Sequence, residues 1–286
     1  MRLPTILPAI SRLAAPGGLA ALALCAYAGA PVYAGDSADA LLATIAPGEV
    51  QYYTTAEGLV DGMPVMPARL TARFERPLRV MKRLVSQAEY AECVREDGCR
   101  PLHKNHRDDV SPDLPVVGVS WDDATSYARW YSKRTGQNYR LPTYAEWAHV
   151  AGEAFKEDLR LDLYSPDDPT NPAQRWLAEY ALESQRKAAE DPFPRPFGTF
   201  GSNAAGVLDL GGNVWEWTDT CHVRQYLDKE GNAILPPTEN CGIRVVAGSH
   251  HSLITDFMRD PKAGACSVGI PPSNLGIRLI LDETGG

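Results

Sequence analysis

The stretch Asn203-Ala-Ala-Gly-Val-Leu-Asp-Leu-Gly-Gly-Asn-Val-Trp-Glu-Trp-Thr218 decides how the rest of the chain is read. Gly211 and Gly212 permit a backbone turn that side chains would block. After the turn, Trp215 and Trp217 alternate with Glu216. A strand there puts both indoles on one face and the carboxylate on the other. Such a segment defines a core, and it identifies a fold better than it identifies a site.

Two segments upstream carry helix starts. Tyr139-Arg-Leu-Pro-Thr-Tyr-Ala-Glu-Trp147 holds the chain extended at its proline, then offers Thr143 as N-cap with Glu146 three residues on. Pro115-Val-Val-Gly-Val-Ser-Trp-Asp-Asp-Ala124 repeats the device with Ser120 and Asp123, as does Ser86 with Glu89. The first helix should run to about Glu96 and stop at Gly98. The second carries Trp121, Ala124, Ala128 and Tyr131 on one face and ends near Gly136. The third runs from Tyr144 to about Ala151 and stops at Gly152. Strands are expected at Leu78 to Lys82, Val116 to Val119, Tyr139 to Leu141, Arg244 to Ala247 and Gly276 to Leu281. With 24 Gly and 23 Pro, few long elements and many loops, the pattern predicts an irregular α+β domain. No internal repeat or low-complexity tract stands out. An inserted stretch at about 156–196 includes a helical pattern from Asn171 to Asp191, and no linker divides residues 35–286.

These segments, followed by Val245-Val-Ala-Gly-Ser249 and Ser273-Asn-Leu-Gly-Ile-Arg278, occur in an order that resembles the formylglycine-generating enzyme, or sulfatase-modifying factor, superfamily. The resemblance extends over most of residues 50–281. It implies a variant of the C-type lectin fold, with a small twisted antiparallel sheet, flanking helices and much irregular chain. It also implies a structural Ca²⁺ held by Gly212, Asn213 and Glu216, whose hard oxygens suit that ion. The other reading of Glu216 is a buried carboxylate satisfied by backbone amides or an arginine. The family's second calcium site is not carried over, because Lys156 to Pro196 replaces the segment that would build it.

Enzymes of this family oxidise a substrate cysteine with O₂, using two cysteines that bind copper(I) just after a Gly-Ser element; soft thiolates are natural ligands for that ion. Aligning Gly248-Ser249 with that element puts Ser252 and Phe257 at the cysteine positions. Neither supplies a thiolate, so no copper is expected at a two-cysteine site, and formylglycine formation by that route is not expected. The same region offers Ser249, His250, His251, Ser252, Asp256 and Arg259 as candidate catalytic residues, with His222 beyond Trp217. Histidines there can ligate a metal or move protons near neutral pH. Against a simple chelate, adjacent residues on a strand face opposite sides, which leaves His250 and His251 pointing apart. The alternative is one histidine hydrogen-bonded in the cleft and one in solvent. Asp256, Arg259 and Asp260 read either as an ion-paired loop lining the cleft, in which Arg259 can take a peptide ligand's carboxylate in bidentate fashion, or as a solvated surface run.

Working outward to the N-terminus, Met1 to Ala34 carries Arg2 and Arg12, no acidic residue and an apolar run from Leu13 to Ala30. Val32-Tyr33-Ala34 has the spacing a signal peptidase accepts, so a secretory signal with cleavage after about Ala34 is expected. The run is broken by Pro16-Gly17-Gly18, whereas a spanning helix needs about 20 apolar residues; no membrane insertion is expected after cleavage. The compartment is then periplasmic or secreted, by the general secretory route. The chain carries a net charge of −8. Losing the signal makes it more acidic, which argues against nucleic acid as a partner. Beyond the signal lie Cys93, Cys99, Cys221, Cys241 and Cys266, and an oxidising compartment favours pairs. Cys93 and Cys99 bracket a Gly-containing turn; Cys221 and Cys241 flank a polar excursion, Tyr226 to Glu239, that reads as a hairpin or loop. Cys266 is then the odd thiol, either buried and inert or reactive.

The signal, the Cys93/Cys99 pair and the absent copper cysteines are together similar to periplasmic members of the superfamily that act in siderophore maturation. That similarity implies oxidative maturation of a peptide-derived metabolite such as a siderophore chromophore, with a peptide-like small molecule as partner. A second expectation is a non-catalytic binding or accessory module, whose loop surface from Ser249 to Ala265 meets an envelope protein, peptide or glycan. A third is a metal-dependent oxidase using His222, His250 or His251.

Overall fold

Among the described residues, three helices each leave a strand or extended segment through the same capped corner, and the sheets are arranged around them. The computed structural model describes residues 38–102, 110–154, 193–248 and 275–283. All of them fall within one compact unit, Asp36–Gly286. In chain order the strands are β1 (Leu42–Ile45), β2 (Gly48–Tyr53), β3 (Glu57–Val60), β4 (Met63–Pro64), β5 (Arg69–Phe74) and β6 (Leu78–Met81). Then come α1 (Gln87–Arg95), α2 (Trp121–Thr135), β7 (Tyr139–Arg140), α3 (Tyr144–Ala151), β8 (Trp215–Leu227), β9 (Thr238–Ala247), β10 (Leu275–Gly276) and β11 (Ile280–Leu281).

The first sheet has the order β1-β6-β11-β7 and is antiparallel throughout, with Ile280 opposite Val80 on one side and Arg140 on the other. Both its faces are covered. Leu42, Met81, Tyr139, Leu279 and Leu281 join the core that packs on α1 and α2. Their neighbours Ala43, Val80 and Ile280 point the other way, into the core built with Trp147, Val150 and Ala151 of α3. This is the period of two of a strand, buried on both sides. The second sheet is centred on β8, the longest strand among the described residues. β9 lies antiparallel on one side; on the other, β10 runs parallel beside its start and β3 parallel beside its end, with β4 at the edge. β2 and β5 form a separate antiparallel ribbon.

The helix boundaries follow the sequence reading. Each of the three N-caps forms a reciprocal capping box, and α2 ends at Gly136 in the left-handed region. Three corrections concern extended chain. Val116 to Val119 is buried but is not a strand: after Val116 donates to Val85 O, Gly118 turns the backbone at φ 72°. Gly276 to Leu281 is not one strand; it divides between two sheets as β10 and β11. The five strands from Leu42 to Phe74 were not anticipated.

The absence of a repeat is also corrected. Arg83-Leu-Val-Ser-Gln-Ala-Glu89 and Arg140-Leu-Pro-Thr-Tyr-Ala-Glu146 share arginine, leucine, a hydroxyl cap, alanine and glutamate at the same spacing. In both, the arginine grips both oxygens of the capping-box glutamate, at 2.8 and 2.9 Å in the first copy and 2.8 Å twice in the second. Each arginine also donates to the carbonyl of the leucine after it. The two copies link β6 to α1 and β7 to α3, and β6 and β7 flank β11. Of the inserted stretch at about 156–196, residues 156–192 lie outside the described residues.

Candidate functional site

The turn before β8 is built by residues whose conformations few others adopt. Asp209 and Asn213 sit at positive φ, 60° and 70°, a region that Asn and Asp enter more readily than most side chains. A Cβ on Gly212 would lie 2.4 Å from a ring carbon of Phe200, so only glycine fits. Both oxygens of Asp209 accept backbone amides, from Gly198 and Phe200 at 2.8 Å each. Asn213 pairs through both ends of its amide with the main chain of Arg195, at 3.0 and 2.9 Å.

From that turn β8 sends its side chains to two cores. Trp217 and Trp215 lie with the α1/α2 core, where the Trp217 indole N–H donates to Val119 O at 2.9 Å. Glu216 points the opposite way, as the alternation predicts. Its Oε2 accepts from Trp147 Nε1 and Arg278 Nε, and its Oε1 from Arg278 Nη2, all at 2.8 Å. Arg278 also donates to Met81 O at 3.1 Å and Leu208 O at 2.9 Å. With Glu216 1% and Arg278 0% exposed, the pair is withdrawn from water. The arginine alternative for Glu216 is the arrangement found. Glu216 is already bound by Trp147 and Arg278 and Asn213 Oδ1 accepts from Arg195 N, so a calcium ion held with Gly212 would draw chiefly on main-chain carbonyls.

Downstream on β8, His222 is buried, and its Nε2 lies 3.9 Å from Glu57 of β3. Arg224 donates to the same carboxylate at 2.8 Å. His222 and Arg224 of β8 therefore share the Glu57 carboxylate of the parallel strand β3, a grouping that sequence reasoning missed because Glu57 is far away in the chain. On the β9 side, Arg244 donates to Asp219 Oδ1 at 2.8 Å, and its guanidinium lies 4.0 Å over the Trp121 ring at the start of α2. Both expected disulfides form, Cys93–Cys99 and Cys221–Cys241.

Three carboxylates are held below their ordinary range. For Glu89, Asp123 and Glu146, burial works to raise the pKa. It is outweighed by hydrogen bonds from Arg83, Arg100 and Arg140, together with those from the capping serine or threonine. All three stand at the third position of a capped helix, where they close the capping box.

The candidate catalytic residues Ser249, His250, His251, Ser252, Asp256 and Arg259 lie outside the described residues, as do Phe257 and Cys266. What is described is where that segment departs and returns. Ala247, next to Gly248, is opposite Glu216 from the β9 side. Leu275 and Gly276 are opposite Trp215 and Glu216 from the β10 side. The segment carrying the candidate chemistry thus springs from both flanks of the Trp-Glu-Trp strand.

Capped helices on a doubly covered sheet, with a central Trp-Glu-Trp strand tied to a distant Gly-Ile-Arg, define a domain of the formylglycine-generating type. The chain belongs to the sulfatase-modifying factor enzyme 1-like domain family, whose match spans residues 36–283. It is 32% identical over 186 residues to the formylglycine-generating enzyme of Streptomyces coelicolor, covering 62% of this chain and 56% of that enzyme. It is 37% identical over 109 residues to the inactive C-alpha-formylglycine-generating enzyme 2 of Bos taurus, covering 37% of this chain and 33% of that protein. The chain thus spans about half, or less, of the length of these relatives. Among solved structures, PvdO from Pseudomonas aeruginosa has the same fold, with a TM-score of 0.50, 21% identity, and coverage of 84% of this chain and 94% of that one. Among the described residues no helix is long and apolar enough to cross a membrane.

Proposed function

We propose that this chain is an exported member of the family that acts in oxidative maturation of a peptide-derived metabolite, such as a siderophore chromophore, and does not make formylglycine. The observation that carries this reading is the occupancy of the two copper-thiolate positions by Ser252 and Phe257 in a chain that keeps the four ordered motifs of the family. The frame that holds the reactive segment is retained, whereas the soft ligands that formylglycine chemistry needs are replaced. Export is supported by the N-terminal pattern and is compatible with two disulfides. Ser249, His250, His251, Ser252, Asp256 and Arg259 are the groups offered for acid–base work or substrate binding.

The test is to incubate purified protein with a dihydro-chromophore precursor peptide under air and follow its mass. A product two mass units lighter, lost in His250→Ala or His251→Ala, is the expected outcome. An unchanged mass with and without added copper or iron overturns the reading. A cysteine-containing sulfatase peptide supplied with copper(I) should remain unconverted.

A second reading, a non-catalytic binding module for a peptide-like ligand or envelope protein, is favoured by the likeness to a family member named as inactive. It predicts that the precursor binds without a change in mass.

A further inference from the structure

Cys221 and Cys241 join β8 to β9 at a place where the ladder between the strands is irregular. The register shifts on both sides of Cys221, whose opposite residue is Arg244 rather than Cys241. The bridge therefore lies across a bulge and not within a regular pair. Beside it, Glu239 Oε1 lies 3.1 Å from Cys241 Sγ. A disulfide sulfur carries no proton, so this carboxylate faces an acceptor and gains no hydrogen bond from it. Reduction changes the partnership, because a thiol can donate to the carboxylate and a thiolate can share a cation with it. The two sulfurs and the carboxylate oxygen lie within 4.8 Å of one another. Ligands bound to a tetrahedral zinc ion at about 2.0–2.3 Å stand about 3–4 Å apart, so the strands need only a local adjustment to close on one ion.

Access separates this bridge from the other. Cys241 and Glu239 are exposed and Cys221 is half-buried, whereas Cys93 is 0% and Cys99 8% exposed. Thiol–disulfide exchange needs a thiolate to reach a sulfur directly, so an external dithiol meets Cys241 first.

We propose that Cys221–Cys241 is a reducible bridge which, once opened, becomes a zinc site with Cys221, Cys241 and Glu239 as ligands. An external dithiol supplies two electrons and two protons. The S–S bond breaks, two thiols form, and the dithiol leaves as its own disulfide. Zinc then displaces the two thiol protons to solvent and takes the carboxylate as third ligand, leaving one position for water.

The full chain is equilibrated anaerobically in graded dithiothreitol, alkylated and mapped at peptide level, and parallel samples are titrated with zinc. Cys221 and Cys241 should become alkylated at a lower dithiol level than Cys93 and Cys99. The partly reduced protein should bind one zinc more than the oxidised protein. Glu239→Gln should weaken that binding about ten-fold or more. The double variant Cys221→Ser/Cys241→Ser should lack it, whereas zinc held by Cys25 or Cys266 would persist in that variant. The proposal is overturned by simultaneous opening of both bridges, by loss of near-UV circular dichroism on opening the first, or by zinc binding that is the same in wild type and both variants. Because Glu239 is exposed, its glutamine variant tests ligation without putting folding at stake.

Discussion

Glu216 and Arg278 are withdrawn from water together, and each is the main charge partner of the other. Charges so buried gain stability from one another chiefly because separating them is worse: truncating one partner of such a pair costs about 3–5 kcal/mol. Arg278→Met should therefore destabilise the protein by about that amount in denaturant titration, and Glu216→Leu in the same chain should recover part of the loss. A loss below 1 kcal/mol would mean that water reaches the site. Because the side-chain oxygens at this turn are already satisfied, adding or chelating calcium should leave the thermal midpoint unchanged. A rise with calcium would show that the carbonyls suffice to hold it. The pairing was half legible. Glu216 stood out in its motif and Arg278 in another, but the sequence separation of 62 conceals that they meet. Only the sheet switch between β10 and β11 brings the arginine under β8.

At the scale of elements, the recurring device is a helix corner clamped by an arginine. The capping hydroxyl and the glutamate close the first turn, and the arginine then fixes the glutamate from the preceding strand. α2 uses a variant in which Arg100, further back in the chain, binds Asp123. Thr143 is exposed, so Thr143→Ala removes little beyond its cap and should cost about 1 kcal/mol in thermal unfolding. The acid response follows from the same carboxylates. Their folded pKa values are lowered, so the stability they contribute is fully present above the unfolded values and is lost as pH falls through the folded ones. Their stabilisation should thus start to fall as pH enters the ordinary carboxylate range and be gone only below the lowered folded values. Arg140→Met should move the acid-unfolding midpoint to higher pH, because Glu146 then protonates sooner. Unfolding monitored by tryptophan fluorescence between pH 2 and 6 measures both, and an unmoved midpoint in Arg140→Met would assign the acid response to other groups. The caps were visible because a hydroxyl and an acid three residues apart are a local signal. The clamp adds an arginine six residues before the acid, a spacing at which no single regular element would bring the two together, and so the repeat passed unnoticed.

For the whole molecule, the four-stranded sheet is the partition between two cores, and Ile280 is at its middle. It pairs with both Val80 and Arg140 and is nearly fully buried in the α3 core. Ile280→Ala should cost about 2–5 kcal/mol in equilibrium denaturation, with both cores lost in one transition; two separate transitions would show that the cores fold independently. The α+β class, the three helices and both disulfides were readable because each rests on residues close in sequence. The strands from Leu42 to Phe74 were not, and β2 and β5 show why. Their residues alternate only between exposed and half-buried, so the contrast that marks a strand with one dry face is missing. The parallel pairing of β3 with β8 is hidden for another reason: it joins residues from opposite ends of the domain.

The two flanks of β8 carry a consequence for how such a protein diversifies. A segment that departs beside Glu216 on one side of a strand and returns beside it on the other has its ends about two strand spacings apart, or about 10 Å. Closing a loop over so short a gap depends only weakly on length, about 0.6 kcal/mol for each doubling. The frame can therefore exchange residues 249–274 for a longer, shorter or chemically unrelated passage while β8, β9 and β10 stay paired. With the chemistry proposed for residues 249–274, inheritance of the scaffold need not carry inheritance of the chemistry. Transplanting that passage from a relative should then be a practical route to retargeting the domain.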